Sequence, residues 1–291
     1  MLSAMLVAND SQDRRAPARR PGMGKKRFWL PAAHGSWTWW IGPLLIGLAA
    51  GGHPRWNFVS LVISALAGFL LMQPATIAAK VLAGRRPRTD LEPALKWIAI
   101  YAFVCLLGVT CIVQAGDVHV LGLAAPGLLV FAAYIGLVFR HAERRQMAME
   151  VLASGVMALA APAAFWAAGG TDYPEPWVLW ALTWLQSAAA IANVYLRLDQ
   201  RRWASPKPRR ERLAAGALTL LFHAAGLAAA LLFVAFDQAP PLVIAAFALV
   251  LLDAVDTTWR PTPGARPAQI GMRQLAVTTA FVGLMVVAYL V

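Results

Sequence analysis

The sequence predicts an all-α fold: a polytopic transmembrane helical bundle of about nine spans, N-terminus in the cytoplasm and C-terminus outside. Three observations carry that expectation. The 291 residues are 59% hydrophobic and only 14% charged, with a mean hydropathy of +0.59, outside the range of soluble domains. Nine apolar runs each approach the ~20 residues a helix needs to cross hydrocarbon. Of the 26 Lys and Arg residues, all but Arg55 fall on one side of the topology that these runs define. Basic loops resist translocation, so the bias sets orientation.

Residues 1–27 are polar, Pro-containing and strongly basic. They are expected to form a disordered cytoplasmic tail against anionic lipid. Their short apolar start precedes the charges, the reverse of a signal peptide. Residues 28–291 read as one transmembrane bundle. The expected spans are 33–52, 57–82, 94–114, 119–139, 148–168, 177–197, 214–236, 240–257 and 272–290. Loops on the cytoplasmic side (GRRPRTDLEP, RHAERRQ, RLDQRRWASPKPRRER, WRPTPGARP) are basic. Those on the outer side (GGHPRWN, QAGDVHV, GGTDYPEPW, DQAPP) are nearly free of basic charge. The eighth run is the shortest, suited to little tilt or a partly re-entrant path. The 12 Trp and 22 Gly suit interfacial anchoring and close helix packing.

A net charge of +12 in a soluble protein would raise the question of nucleic acid. Here it is confined to short loops, with no basic helix carrying interleaved aromatics, so nucleic acid is not an expected partner. Membrane lipids with anionic headgroups, or a phosphate-bearing ligand, fit better. Cys105 and Cys111 stand about 9 Å apart in helical rise, too far for a disulfide. A P-loop, an HExxH helix and a nucleophile elbow are all missing, which argues against hydrolysis by a Ser or Cys nucleophile.

Polar groups inside apolar runs are costly and therefore candidates for function. His223 falls near the middle of the seventh run, either as a neutral imidazole bonded to a neighbouring helix or as a working group. His34 and His141 lie at the cytoplasmic edge and His53 and His119 at the outer edge, which leaves no second axial ligand for a bis-His haem. In the sixth run Gln186, Ala190, Asn193 and Arg197 share one helix face, and Tyr195, Asp199, Arg201 and Arg202 continue towards the cytoplasm. That stripe reads equally as a ligand wall or as interhelical hydrogen bonding. Asp253 and Asp256, three apart, are a weak metal candidate or partners for Arg260. His34 opens the first run beside three Trp, and interfacial anchoring does not explain it. Gln73 precedes Pro74 in the second run, where proline frees a backbone carbonyl and broken helices often line a cavity.

The opening Leu30-Pro31 with His34-Gly35-Ser36-Trp37 resembles the P-x-x-H-G-[AS]-W start of the YwiC-like family of bacterial integral membrane proteins. The stretch FLLMQP (Phe69 to Pro74) and Ala161-Pro162-Ala163 support the resemblance. It implies a multi-pass protein of the bacterial cytoplasmic (inner) membrane. More distantly, the pattern is similar to the UbiA superfamily of nine-helix prenyltransferases. Those enzymes hold Mg²⁺ and an isoprenoid diphosphate on Asp-rich loops after helices two and six. The corresponding stretches here, Gln73 to Glu92 and Asn193 to Glu211, lack the paired Asp cradle and offer only Asp90 and Asp199 near their helices. Mg²⁺ is therefore not expected, while Arg85, Arg86, Arg88, Arg201 and Arg202 are positioned to grip a phosphate.

The leading functional expectation is a non-catalytic protein that binds a lipid, isoprenoid or quinone, or serves as an accessory subunit of a membrane complex. The alternatives are a degenerate UbiA-like prenyltransferase acting on a phosphorylated isoprenoid, and a small-solute transporter. The odd number of spans and the lack of an evident repeat weigh against the transporter.

Overall fold

The computed structural model describes residues 37–53, 56–116, 118–140, 147–171 and 173–291, and all regular structure among them is helical. The tail 1–27, His34, Arg55 and His141 lie outside the described residues. The helices are α1 (Thr38–Gly51), α2 (Trp56–Leu82), α3 (Leu91–Gln114), α4 (Val118–Leu121), α5 (Ala124–Phe139), α6 (Met147–Ala158), α7 (Ala160–Ala167), α8 (Glu175–Gln200), α9 (Arg209–Ala235), α10 (Leu242–Trp259) and α11 (Pro267–Leu290). Seven helical stretches are long and apolar enough to cross a membrane: α2, α3 with its preceding turn, α6 with α7, and α8 to α11.

The first and fourth expected spans are shorter helices. The first is described only from Trp37, and its helix runs Thr38–Gly51. The fourth is split at Gly122 and Leu123, leaving 16 residues in α5. Gly122 weakens the helix there, and Pro126, one turn on, cannot donate to the Gly122 carbonyl. The same physics divides α6 from α7 at Leu159, because Pro162 withdraws the donor due to Ala158. Gln73-Pro74, by contrast, leaves α2 unbroken; Thr76 Oγ1 donates to the Met72 carbonyl at 2.7 Å in the same turn.

The chain forms two compact units. The first holds α2 to α5 and the start of α6. Its main feature is the pairing of α2 with α3. Gly84, with φ +71°, ends α2: its N–H donates to Val81 and that of Arg85 to Lys80, at 3.0 and 2.8 Å, a Schellman turn that satisfies the last carbonyls. A 3₁₀ turn, Arg88–Asp90, then starts α3. The buried residues of α3 are Ala94, Tyr101, Gly108 and Ile112, spaced mainly by sevens to keep one seam towards α2. Phe103, Leu106, Leu128 and Leu129 stay exposed, as side chains facing hydrocarbon do.

The second unit holds α1, the last turn of α6, and α7 to α11. Its core joins Ile46, Phe165, Leu179, Leu182, Val243, Phe247, Phe281 and Met285, with the Phe247 and Phe281 rings edge to face at 5.2 Å. Helix α8 touches α1, α7, α9, α10 and α11. It is the least apolar of the seven spans and the most buried. A central helix carries polar groups at lower cost, because they meet protein rather than lipid. Helix α1 lies directly on α7: a Cβ at Gly47 would overlap the Ala161 backbone, and one at Gly51 the Phe165 carbonyl. Because the obstacle is backbone, Gly47→Val should cost about 1–3 kcal/mol from overpacking. Gly68, with open space around it, should tolerate Ala. Thermal unfolding of the two purified variants checks the contrast.

Candidate functional site

The second unit gathers its buried charges at one end of α8, α10 and α11. Asp253, Asp256 and Thr257 recur at three and four residues, so they share one face of α10. The Asp253 side chain, 9% exposed, is the focus. Its Oδ2 accepts from Asn193 Nδ2 at 2.9 Å. Its Oδ1 accepts from Arg273 Nε at 2.9 Å and Nη2 at 2.7 Å, and from Arg197 Nη2 at 3.4 Å. Arg273 Nη2 also reaches Asp256 Oδ2 at 2.5 Å, and Arg260 lies 3.5 Å from the other Asp256 oxygen.

Arg197 further donates to Thr257 Oγ1, whose own proton goes to the Asp253 carbonyl at 2.7 Å. Gln200 Nε2 donates to the Thr257 carbonyl at 2.9 Å. Two guanidinium groups, Arg197 and Arg273, thus face two carboxylates, Asp253 and Asp256. That balance is what low dielectric demands of buried charge. Arg197 also sits in the last turn of α8, where the helix dipole favours a cation.

Further along the same face of α8 is a narrow cleft. Its walls are Trp39, Pro43 and Ile46 of α1, Thr183, Gln186, Ser187 and Ala190 of α8, and Thr278, Phe281 and Val282 of α11. The cleft as a whole has room for about one water molecule. Gln186 is 4% exposed, and its Oε1 is buried without a hydrogen-bond partner. A buried amide oxygen left so costs about 1–3 kcal/mol.

The other expected site residues are dispersed. His223 is buried on α9, its Nδ1 2.8 Å from the Thr219 carbonyl, so Nδ1 carries the proton and donates. Asp199 accepts from Trp203 Nε1 at 3.1 Å. The Arg201 backbone carbonyl accepts from the Gly264 N–H at 3.0 Å, Arg202 is exposed and Tyr195 is half-buried. In the first unit Arg85 Nη1 donates to the Val138 carbonyl at 3.2 Å, and Arg86 pairs with Asp90 at 3.3 Å. Arg88 is exposed in the 3₁₀ turn, and Gln73 is half-buried on α2. Among the described residues no group of three or more His, Cys, Asp and Glu converges.

The opening motif of the chain has its counterpart in a family comparison. Residues 30–165 match the family of YwiC-like proteins. No curated protein and no solved structure matches the chain. The YwiC-like segment takes in α1 to α6 and most of α7, including the α1 wall of the cleft. Arg197, Asp253, Asp256 and Arg273 come after it.

Arg273 and Thr257 were not distinguishable as site residues in the sequence, and Gln200 was passed over. Arg273 stands at the start of a span, where any basic residue reads as a topology signal. Gln200 had a usable signal: it continues Gln186 and Asn193 at intervals of seven along one face of α8.

Removing one member of the buried pair should strand the other. Asp253→Leu leaves Arg197 uncompensated and should cost about 3–5 kcal/mol, whereas the Asp253→Leu/Arg197→Leu double variant should recover most of that loss. Arg273 keeps Asp256 and is 40% exposed, so it is not stranded in either. A double-mutant cycle on thermal unfolding in detergent measures the coupling.

Proposed function

We propose that this chain is a membrane-embedded protein that binds an isoprenoid- or quinone-type lipid without transforming it. The observation that carries the reading is the cleft between α1, α8 and α11. It is mostly apolar, flanked by Trp39 and Phe281, and supplied with one buried amide, Gln186. Sites for apolar ligands have this composition: an apolar wall with few polar groups that fix orientation. The charge cluster supports the reading from below by joining α8 to α10 and α11 and so fixing two of the cleft's walls.

On this reading the one-sided basic loops favour a bacterial inner membrane with that cluster towards the cytoplasm. Membrane lipids are then the first partner, and a larger membrane complex is the setting in which an accessory subunit of this kind would act.

A prenyltransferase-like reading draws less support. The carboxylates nearest the two places where such an enzyme would hold a metal diphosphate are engaged elsewhere, Asp90 by Arg86 and Asp199 by Trp203.

Protein purified in mild detergent should retain an isoprenoid or quinone lipid, identified by extraction and mass spectrometry. Ser187→Val, which narrows the water-sized cleft from its half-buried edge with little added volume, should lose it without lowering the melting temperature appreciably. Lipid of that class at the level of an unrelated membrane protein would overturn the proposal.

A further inference from the structure

The polar lining of the cleft includes hydrogen-bond acceptors that lack a donor. Gln186 Oε1 is buried and unpartnered. Pro43 sits inside α1 and has no N–H, so the carbonyl of Trp39, one turn earlier, lacks its helical donor. Trp39, Pro43 and Gln186 all line the cleft. The hydroxyl protons of Thr183 and Ser187 are already committed within α8, to Leu179 at 2.8 Å and Thr183 at 2.9 Å. What those two side chains still offer is oxygen lone pairs. The fourth polar group, Thr278 Oγ1, accepts from Gln274 Nε2 at 3.3 Å.

We infer that the cleft selects a lipid whose polar end is a hydroxyl, a prenyl alcohol or a quinol, over one that ends in a carbonyl, an ether or a hydrocarbon. The inference rests on the lipid-binding reading above and specifies its chemistry. A hydroxyl donates one proton and accepts in return. Placed at the floor, it gives its proton to Gln186 Oε1 or the Trp39 carbonyl and accepts from the Gln186 amide N–H. A quinone or ether oxygen can only accept, which leaves the buried acceptors unpaired. Leaving them so is costly, and pockets built on buried polar groups reject ligands that lack the matching partner. The cleft has space for one water-sized group, which suits a single hydroxyl, with the chain lying outside it past the half-buried Ser187, Thr278 and Val282.

The test uses the full chain in nanodiscs with tritiated geranylgeraniol and its methyl ether, which differ only in the donor. Wild-type protein should bind the alcohol about tenfold more tightly than the ether, the worth of about one hydrogen bond. The double variant Gln186→Met/Pro43→Ala, which removes both acceptors, should erase that preference. Pro43→Ala restores a donor to the Trp39 carbonyl and suits a helix better than proline, so folding is not at risk. Equal binding of alcohol and ether to wild type overturns the hydroxyl inference and leaves lipid binding standing. Failure of both probes to bind overturns the lipid-binding reading itself. A preference that survives in the double variant shows that the hydroxyl is read elsewhere and overturns the assignment to this cleft.

Discussion

A guanidinium group without a counter-charge is not tolerated in hydrocarbon, and Arg197 and Arg273 both stand on helices long and apolar enough to cross it. Asp253 answers both. Its carboxylate takes hydrogen bonds from α8 through Asn193 and Arg197 and from α11 through Arg273, so one side chain of α10 holds three helices in a single register. Because the bonds are short and directional, the register is set far more narrowly than apolar packing alone would set it. The cleft depends on that register. Gln186 lies seven residues from Asn193 on α8, about 10 Å along the helix, and Thr278 and Phe281 follow Arg273 on α11. Sliding either helix would separate the amide from the wall it faces.

Helix α8 accommodates this chemistry because the second unit surrounds it. Five other helices touch it, so Asn193, Arg197 and Gln200 bond to α10 and Gln186 faces protein rather than lipid. The opposite solution appears in the first unit, where α3 keeps one narrow seam and α5 buries little beyond Val138. There many apolar side chains are exposed, Ser64, Thr76 and Thr110 return their hydroxyl protons to their own helices, and Arg85 reaches the Val138 carbonyl at a helix end. Close backbone approach supports the second unit as well. Gly47 and Gly51 bring α1 onto α7, and α1 supplies both Trp39 and the proline that frees its carbonyl.

Much of this was legible from residue order. Among the described residues the apolar runs are helical, and the stripe of Gln186, Asn193 and Arg197 lies on one buried face, as its spacing requires. The proximity of Asn193 to Asp253, sixty positions apart, was not legible, since each reads alone as an isolated polar residue. Arg273 was hidden by its ambiguity: near a span end, a basic residue serves topology or chemistry with the same letter. The breaks at Gly122 and Leu159 follow from prolines visible in the sequence, but a hydropathy window averages over them.

The sequence by itself determined that this chain is helical and apolar enough to cross a membrane. Hydrocarbon leaves backbone groups no partner but their own helix, and that requirement is local. It also determined which face of α8 is polar, through helical periodicity alone. Only the tertiary structure decided which charges neutralise one another and where a cleft remains. Those outcomes depend on the rotation and axial offset of each helix against its neighbours. Both are fixed by contacts between residues far apart in the chain, such as Asp253 with Arg197 and Gly47 with Ala161.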